Sequence, residues 1–534
     1  MKAKVLFLSL LFVSSITALL LGLTIWRDRS AVRLYTFEGR HSQVREVSGG
    51  ITDIHDIPGP IRRYRTREIV EQAKEEVPSP SPVATVPISQ NRTVGNDPVN
   101  VGVLGLSRRE LDQVLEEVER CMTAANLKGL VPRAKESAER YVKDFRKVIP
   151  QYFLSGYSSH CWRQSRRALP PQIQKFMSHF DTSQNNGDTR EELLCLPKLL
   201  TAGVQKCGST FMWCFAKNLL SESLGVSPSI QPLKELFFWR QSKYIGALSE
   251  YIYRYKKNYK DYDHEIQKRA VLIDGSPDLI SGWIGSEFHF KDFSLLDYCL
   301  LPATLPHFLP NVKLTVVMRE PSAALYSLFW FSCTAGKGHR VSPELQIRGP
   351  QIFHERITKK ISMFLDCMRD KKDPVISRAC SLEDSSYDSC ILHRLHLAAA
   401  CTSKIDFNRF SPEMPKCGSA RPDHFLYYVH IHRWLSVVPK ERFLFLTLEE
   451  TIVDPLKTAK GILNLVDTPL RPDVNVSSIA SYCREHRVEQ RKVHYKTNPE
   501  LKMRSDTRTL IKKFYKPFNA KLSEILNEPK FLWQ

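Results

Sequence analysis

The stretch KLLTAGVQKCGSTFMWCF, Lys198 to Phe215, decides how the rest of the chain is read. Leu199 to Ala202 is a short apolar run suited to a buried strand. Gly203, Lys206 and Gly208 make a polar turn, Ser209 and Thr210 follow, and the apolar run from Phe211 opens a helix. A strand entering a Gly-containing loop at a helix N-terminus is an anion cradle. Main-chain N–H groups point at the ligand, the helix dipole favours negative charge, and Lys and Ser/Thr side chains add donors. The Walker A pattern needs Lys directly after its second Gly. Here Lys206 precedes Gly208 by two positions, so the order G-x-x-K-x-G-S-T excludes an ordinary ATP or GTP loop.

Around that loop, apolar strands alternate with longer helical stretches, which argues for an α/β fold with a central parallel sheet. The expected strands are Leu199–Ala202, Ala270–Asp274, Lys313–Met318 and Arg442–Thr447. In such sheets the ligand lies beyond the carboxyl ends of the strands. Three of these strands end in polar residues: Lys206 with Ser209, Asp274 to Ser276, and Arg319. After KLTVVM come Arg319, Glu320 and Pro321, and Ser327 follows eight residues after Arg319. A guanidinium at a strand end suits bidentate phosphate recognition. Pro321 turns the chain into a helix from which Ser327 faces the same anion. Taken alone, Arg319 reads as a strand-end salt bridge; beside the first loop, it reads as a phosphate ligand. A third segment, Lys234-Glu235-Leu236-Phe237-Phe238-Trp239, sets a Lys–Glu pair before an aromatic run. Group transfer to a hydroxyl needs a base for its proton and cations for the charge on a phosphate leaving group. Glu235 suits the first task, Lys206 and Lys234 the second.

The chain has 534 residues, and its 77 Lys and Arg against 57 Asp and Glu give a formal net charge of +20. That excess implies an acidic partner: nucleic acid, an anionic membrane or a polyanionic glycan. Val5 to Trp26 is a mostly apolar stretch with Lys2 and Lys4 before it and Arg27, Asp28 and Arg29 after it. About 20 apolar residues span a bilayer, whereas a cleaved signal has a core of about 7–15. The stretch therefore reads as an uncleaved signal anchor over residues 5–26, with 1–4 cytoplasmic and the remainder lumenal. The glycosylation sequons at Asn91 and Asn475 support that side. So do thirteen cysteines without a single C-x-x-C pair, which excludes zinc-ribbon and redox motifs and suits disulfides in an oxidising compartment. A single-pass type II Golgi membrane protein is the economical reading. Residues 27–106 read as a stem, because VPSPSPVATVPISQNRTVGNDPVN (77–100) cannot build a packed core. Residues 107–160 read as a helical neck, opened by Ser107 and Glu110 as a capping box. The catalytic domain is expected over 161–534.

The loop G-x-x-K-x-G-S-T, with R-x-P and its following Ser, resembles the phosphate-binding motifs of sulfotransferases that use PAPS (3′-phosphoadenosine 5′-phosphosulfate). The resemblance implies a P-loop-like sulfotransferase fold and PAPS as co-substrate, with no metal. It also implies 5′-phosphosulfate contacts from Lys206, Cys207, Gly208, Ser209 and Thr210, and 3′-phosphate contacts from Arg319 and Ser327. K-E before aromatics resembles the segment carrying the catalytic Glu of the Golgi glycosaminoglycan sulfotransferases, matching Glu235 beside Lys234. A sulfated glycosaminoglycan, rather than nucleic acid, is then the expected polyanion, and a homo-oligomer is compatible with the pattern.

From Cys161 onward the resemblance is closest to enzymes that add 6-O-sulfate to N-acetylgalactosamine 4-sulfate in chondroitin and dermatan sulfate. It rests on Cys161-Trp162, Cys195-Leu196-Pro197, the loop, KEL-FFW, LPNVKLTVVMREP with Leu325-Tyr326-Ser327, Phe353-His354-Glu355, Trp434 to Val437, and FYKPFNAKL (514–522). Two departures stand out. Ala324 occupies the place where many members carry a second Arg, and Asp274-Gly275-Ser276-Pro277 replaces the E-K-[ST]-P of the heparan enzymes. The basic loop that closes over PAPS in the family corresponds to Arg487–Asn498, with Arg491 and Lys492 as its phosphate contacts. Cys161 and Cys195 flank the entry to the domain and are expected to pair, and the five cysteines from Cys367 to Cys417 read as a disulfide-stapled insertion. Two other classes are weaker. The D-x-D of a metal-dependent glycosyltransferase appears only as Asp261-Tyr262-Asp263, in a polar helical stretch that reads as a solvated face. A sulfated-glycan binder without activity would need no base, yet Glu235 accompanies Lys206, Arg319 and Ser327.

Overall fold

The computed structural model describes residues 108–124, 128–150, 153–169, 171, 174, 191–228, 231, 245–260, 262–276, 279–281, 296–334, 342–369, 382–383, 385–395, 397–398, 401, 420–489 and 499–533. The described residues begin with helices α1 (Arg108–Ala124) and α2 (Val131–Arg146), then strands β1 (His160–Ser165), β2 (Glu191–Leu196) and β3 (Leu199–Thr201). Helices α3 (Ser209–Leu224), α4 (Ile245–Tyr259) and α5 (His264–Arg269) lead to β4 (Ile273–Asp274), α6 (Leu296–Phe308) and β5 (Lys313–Met318). Next come α7 (Pro321–Thr334), α8 (Pro343–Met368), α9 (Tyr387–His393), α10 (Tyr427–Leu435) and β6 (Phe443–Thr447). The last helices are α11 (Leu448–Val453), α12 (Pro455–Leu465), α13 (Val476–Glu489) and α14 (Ser505–Leu526).

All four expected strands pair in one sheet, in the order β4-β3-β5-β6, and every pairing is parallel. A parallel sheet covered on both faces favours strands that are largely apolar, and KLTVVM is buried from Leu314 to Met318 with Thr315 as the one polar residue of that run. Its side chains alternate between two apolar layers, Leu314, Val316 and Met318 in one and Val317 in the other. The layer holding Val317 is built from Phe211, Phe215 and Leu219 of α3, Ile462 and Leu463 of α12 and Ile479 of α13. The disulfide Cys214–Cys483 ties α3 to α13 on that side. The opposite layer includes Leu328 and Phe329 of α7, Ile431 and Trp434 of α10 and Phe514 and Phe518 of α14.

Strand β4 is an edge of the sheet among the described residues, and side chains take up main-chain bonds along its apolar run. Leu272 N–H donates to Ser159 Oγ at 2.8 Å and Ile273 N–H to Gln231 Oε1 at 2.9 Å. Gln231 Nε2 returns a bond to Val271 O at 2.7 Å, and Tyr255 OH donates to Ile273 O at 3.0 Å. A buried main-chain group left unpaired costs about 1–3 kcal/mol, so this border stabilises the edge and closes it to another strand. Ala202 and Arg442 fall just outside β3 and β6.

Helices α1 and α2 pack on α6, with Cys121 bonded to Cys299. Arg146 of α2 is buried, ion-paired with Glu110 and donating to His307 O at 2.6 Å. These helices belong with the sheet to one unit, Asp97–Gln534. Cys161 and Cys195 face each other in the antiparallel β1–β2 ladder and are disulfide-bonded, as expected of the two cysteines at the domain entry. Cys367 is bonded to Cys401, within the segment expected to be stapled. The anchor and stem expected over 5–106 lie outside the described residues. No described helix is long and apolar enough to cross a membrane.

Candidate active site

The site is built where β3 and β5 end side by side. Beyond β3, Lys206 and Gly208 take left-handed conformations, φ 67° and 94°. Left-handed residues within a short turn are the signature of an anion-binding nest of main-chain N–H groups. Gly208 is required twice over. Its φ suits glycine, and a Cβ there would lie 2.4 Å from Leu448 Cδ1. Helix α3 begins at the next residue with Gly208 as N-cap and no side chain capping it. Its first turn lies at the positive end of the helix dipole, where main-chain N–H groups suit an anion. The Lys206 ammonium lies 4.4 Å from the ring centroid of Phe331 on α7, a cation–π contact. Phe331 is one helical turn beyond Ser327 and shares its face. Lys206 and Ser327, far apart in sequence, are thereby brought to one region.

Beyond β5, Glu320 turns back onto the start of α7. Its carboxylate accepts from Ser322 Oγ and, at 2.8 Å, from Ala323 N–H, capping the helix. The salt bridge that would have been the plain explanation of Arg319 is missing: among the described residues its guanidinium makes no ion pair, and it is half-buried. Ser327 is buried at 8% exposure.

One residue that no motif flagged joins the two strand ends. Tyr427, the first residue of α10, is 1% exposed. Its hydroxyl donates to Arg319 O at 2.8 Å, accepts from Arg319 N–H at 3.4 Å and lies 3.1 Å from Cys207 Sγ. The phenol has one proton, already given to the carbonyl, so the Cys207 thiol is the donor in the third contact. Burial first, and the Cys207 sulfur second, hold the phenol well above its ordinary pKa, so it stays neutral. Cys207 is buried and outside any disulfide.

The third polar strand end behaves differently. Asp274 is 2% exposed, its Oδ2 accepting from Tyr251 OH and its Oδ1 from Ser276 Oγ, each at 2.6 Å. Both carboxylate oxygens are turned inward, away from solvent. Gly275 lies against Trp213 of α3, where a Cβ would approach Cδ1 to 2.1 Å. Of the other expected residues, Lys234, Glu235, Arg491, Lys492 and Asn91 lie outside the described residues, as does Asp261. Asp263 caps α5 by accepting from Ile266 N–H at 2.9 Å, in keeping with a solvated polar stretch. Asn475 is exposed and caps α13, its Oδ1 accepting from Ser478 N–H at 3.0 Å.

A left-handed loop at a helix without a side-chain cap, a nearby ammonium, a guanidinium without an ion pair among the described residues and a buried hydroxyl are donors of the kind a ligand with two anionic ends requires. The fit to PAPS is therefore good on this chain's own residues. The Sulfotransferase domain family matches residues 196–528. Carbohydrate sulfotransferase 15 of Homo sapiens is 24% identical over 435 residues, covering 72% of this chain and 67% of that protein. Its Rattus norvegicus counterpart is 24% identical over 436 residues with the same coverage. Among solved structures, a sulfotransferase from Alicyclobacillus acidocaldarius matches with a TM-score of 0.35 and 14% identity, covering 63% of this chain and 98% of that chain.

Proposed function

This chain belongs to the Sulfotransferase domain family, and we propose that it moves a sulfuryl group from PAPS to a hydroxyl of a sulfated glycosaminoglycan. The acceptor we favour is the 6-OH of N-acetylgalactosamine 4-sulfate in chondroitin or dermatan sulfate. The observation that carries the reading is the meeting of the β3 loop with Arg319 and Ser327 at adjacent strand ends. PAPS, when bound, supplies the sulfuryl group and a phosphate leaving group. Lys206 and the first turn of α3, at Ser209 and Thr210, hold the 5′ end and bear the charge that builds there. Arg319 and Ser327 hold the 3′-phosphate and fix the donor's direction. Glu235 takes the proton of the acceptor hydroxyl, with Lys234 as a second cation and Arg491 and Lys492 as further phosphate contacts. No step requires a metal.

Several observations support the acceptor and the compartment. The +20 charge attracts a polyanion, and the relative with the stated identity is a carbohydrate sulfotransferase. Asp274-Gly275-Ser276 lacks the Lys of the heparan pattern, and its carboxylate is engaged internally. Disulfides such as Cys161–Cys195 and Cys214–Cys483 belong to an oxidising compartment. Together with the apolar stretch 5–26 and the exposed Asn475 sequon, they suit a lumenal, glycosylated domain on a Golgi anchor.

The test is transfer from labelled PAPS by the detergent-solubilised full chain to chondroitin, dermatan and heparan acceptors, with and without EDTA. Transfer to 4-sulfated chondroitin that survives EDTA and is lost in Lys206→Ala and Glu235→Gln is expected. Transfer to heparan alone would overturn the acceptor. Donor binding without transfer to any acceptor would overturn the transferase reading.

A further inference from the structure

We infer that Tyr427 is a positioning residue for the donor, setting the distance between its 5′ and 3′ anion sites; this rests on the reading of the site given above. Arg319 lies one residue beyond the last sheet pairing, Met318 with Thr447, so its main chain has left the β6 ladder. The Tyr427 hydroxyl occupies the place a further strand residue would take, binding both Arg319 N–H and Arg319 O. Through the Cys207 thiol the same oxygen reaches the β3 loop between the two left-handed residues. One atom thus clamps both phosphate segments, which are 112 residues apart in sequence (319 − 207).

The clamp is itself held. Tyr427 packs against Phe425 and Trp533, with ring centroids 6.1 and 5.5 Å away, and Tyr515 OH on α14 donates to Pro422 O in the turn that precedes it. A ligand with two anionic ends binds a pre-set pair of sites without the cost of ordering them. Removing the hydroxyl leaves the Arg319 main chain and the Cys207 thiol without that shared partner, in a buried place where such losses are felt. The consequence falls on the donor and spares the acceptor.

The experiment compares the full chain with Tyr427→Phe and, as a matched control, Tyr387→Phe. Tyr387 is equally buried, and its hydroxyl donates to a main-chain carbonyl of α14, Phe514 O at 3.0 Å, rather than to either phosphate segment. Calorimetry with 3′-phosphoadenosine 5′-phosphate gives donor-site affinity, kinetics give separate KM values for PAPS and acceptor, and melting gives stability. Tyr427→Phe is expected to weaken nucleotide binding and raise the PAPS KM about tenfold, with the acceptor KM within about twofold. Tyr387→Phe should melt lower by a similar amount and bind the nucleotide normally. Cys207→Ala tests the link from the loop side, raising Kd about threefold and adding less than that on top of Tyr427→Phe. If Tyr427→Phe lowers melting as Tyr387→Phe does but binds the nucleotide normally, the residue is structural and the inference falls. A matching rise in acceptor KM would also overturn it. A wild-type chain that does not bind the nucleotide would instead defeat the donor reading on which the inference stands.

Discussion

Replacing Gly208 with Ala is the sharpest perturbation of the phosphate loop. At φ 94° an L-residue is strained, by about 1–2 kcal/mol for a left-handed residue. The added methyl would stand 2.4 Å from Leu448 Cδ1 and 3.4 Å from Leu448 Cγ. A leucine methyl can swing, but this one has little room. Leu448 is 5% exposed within the apolar layer of α3 and α12. Its backbone is fixed directly after β6, where Thr447 Oγ1 caps α11 by accepting from Glu450 N–H at 3.1 Å. Overpacking of this kind costs about 1–3 kcal/mol. Adding the backbone term gives about 2–5 kcal/mol, or a smaller loss if the loop shifts, in which case the donor site is spoiled. Denaturant midpoints and nucleotide calorimetry on the same protein separate the two routes. Either stability falls by that amount, or nucleotide affinity falls at least about tenfold, and a mixture of both satisfies the reasoning. Leu448→Ala introduced beside Gly208→Ala should return part of the lost affinity by making room, while the backbone cost remains. A Gly208→Ala protein with wild-type stability and wild-type affinity would refute the steric account.

The remaining expectations follow from other parts of the site and fold. Arg319→Ala should weaken nucleotide binding about 10- to 100-fold by calorimetry, and Arg319→Lys should recover little, because a point charge cannot reproduce the guanidinium fork. Equal affinity for Lys and Arg at that position would sink the bidentate reading. Replacing Cys214 and Cys483 together by Ser should lower unfolding stability by about 2–5 kcal/mol, since the bond spans 269 residues; an unchanged denaturant midpoint would count against it. Burial holds His160 at about 4 against an ordinary 6.5, opposed by its hydrogen bond to Pro197 O. The folded pKa is depressed, so the unfolded chain binds more protons between those values. The stability carried by the neutral ring is whole above pH 6.5 and is lost as pH falls through about 4. That loss runs at about 1.4 kcal/mol per pH unit. Denaturation of wild type and His160→Gln at stepped pH should show the variant lacking that share of the slope; parallel curves would refute the assignment.

Local pattern made the sheet legible. KLTVVM and LLT are dominated by apolar residues, with Thr315 and Thr201 their buried polar members, as a sheet covered on both faces demands, and each expected strand formed within a few residues of its expected bounds. Where the bounds moved, the cause lies far away in sequence. Leu272 O still accepts from Lys198 and Leu199 N–H at the start of β3, but Ser159 and Gln231 take the bonds of Ala270 O, Leu272 N–H and Val271 O that a longer ladder would have used. Nothing within the run itself announces those partners. Asp274 shows the same limit at the site. A polar residue at a strand end reads as a ligand, yet Tyr251 and Ser276 from within the fold claim both its oxygens.

The phosphate loop divides in the same way between what is local and what is not. Lys206, Gly208 and Ser209 declare their chemistry by type and spacing, because an anion cradle needs donors and a residue tolerant of positive φ. The shape of the cradle is held from elsewhere: Leu448 leaves no space at Gly208, and Tyr427 binds Cys207 and Arg319 at separations of 220 and 108 residues. Tyr427 sits in FLYYVHIHRWL, an apolar helical run whose pattern explains its burial and says nothing of its hydroxyl. A motif therefore names the groups that meet the ligand, whereas the distance between them is fixed by residues that never meet it. Substitutions near 427 and 448 should consequently change donor affinity while every motif residue remains in place.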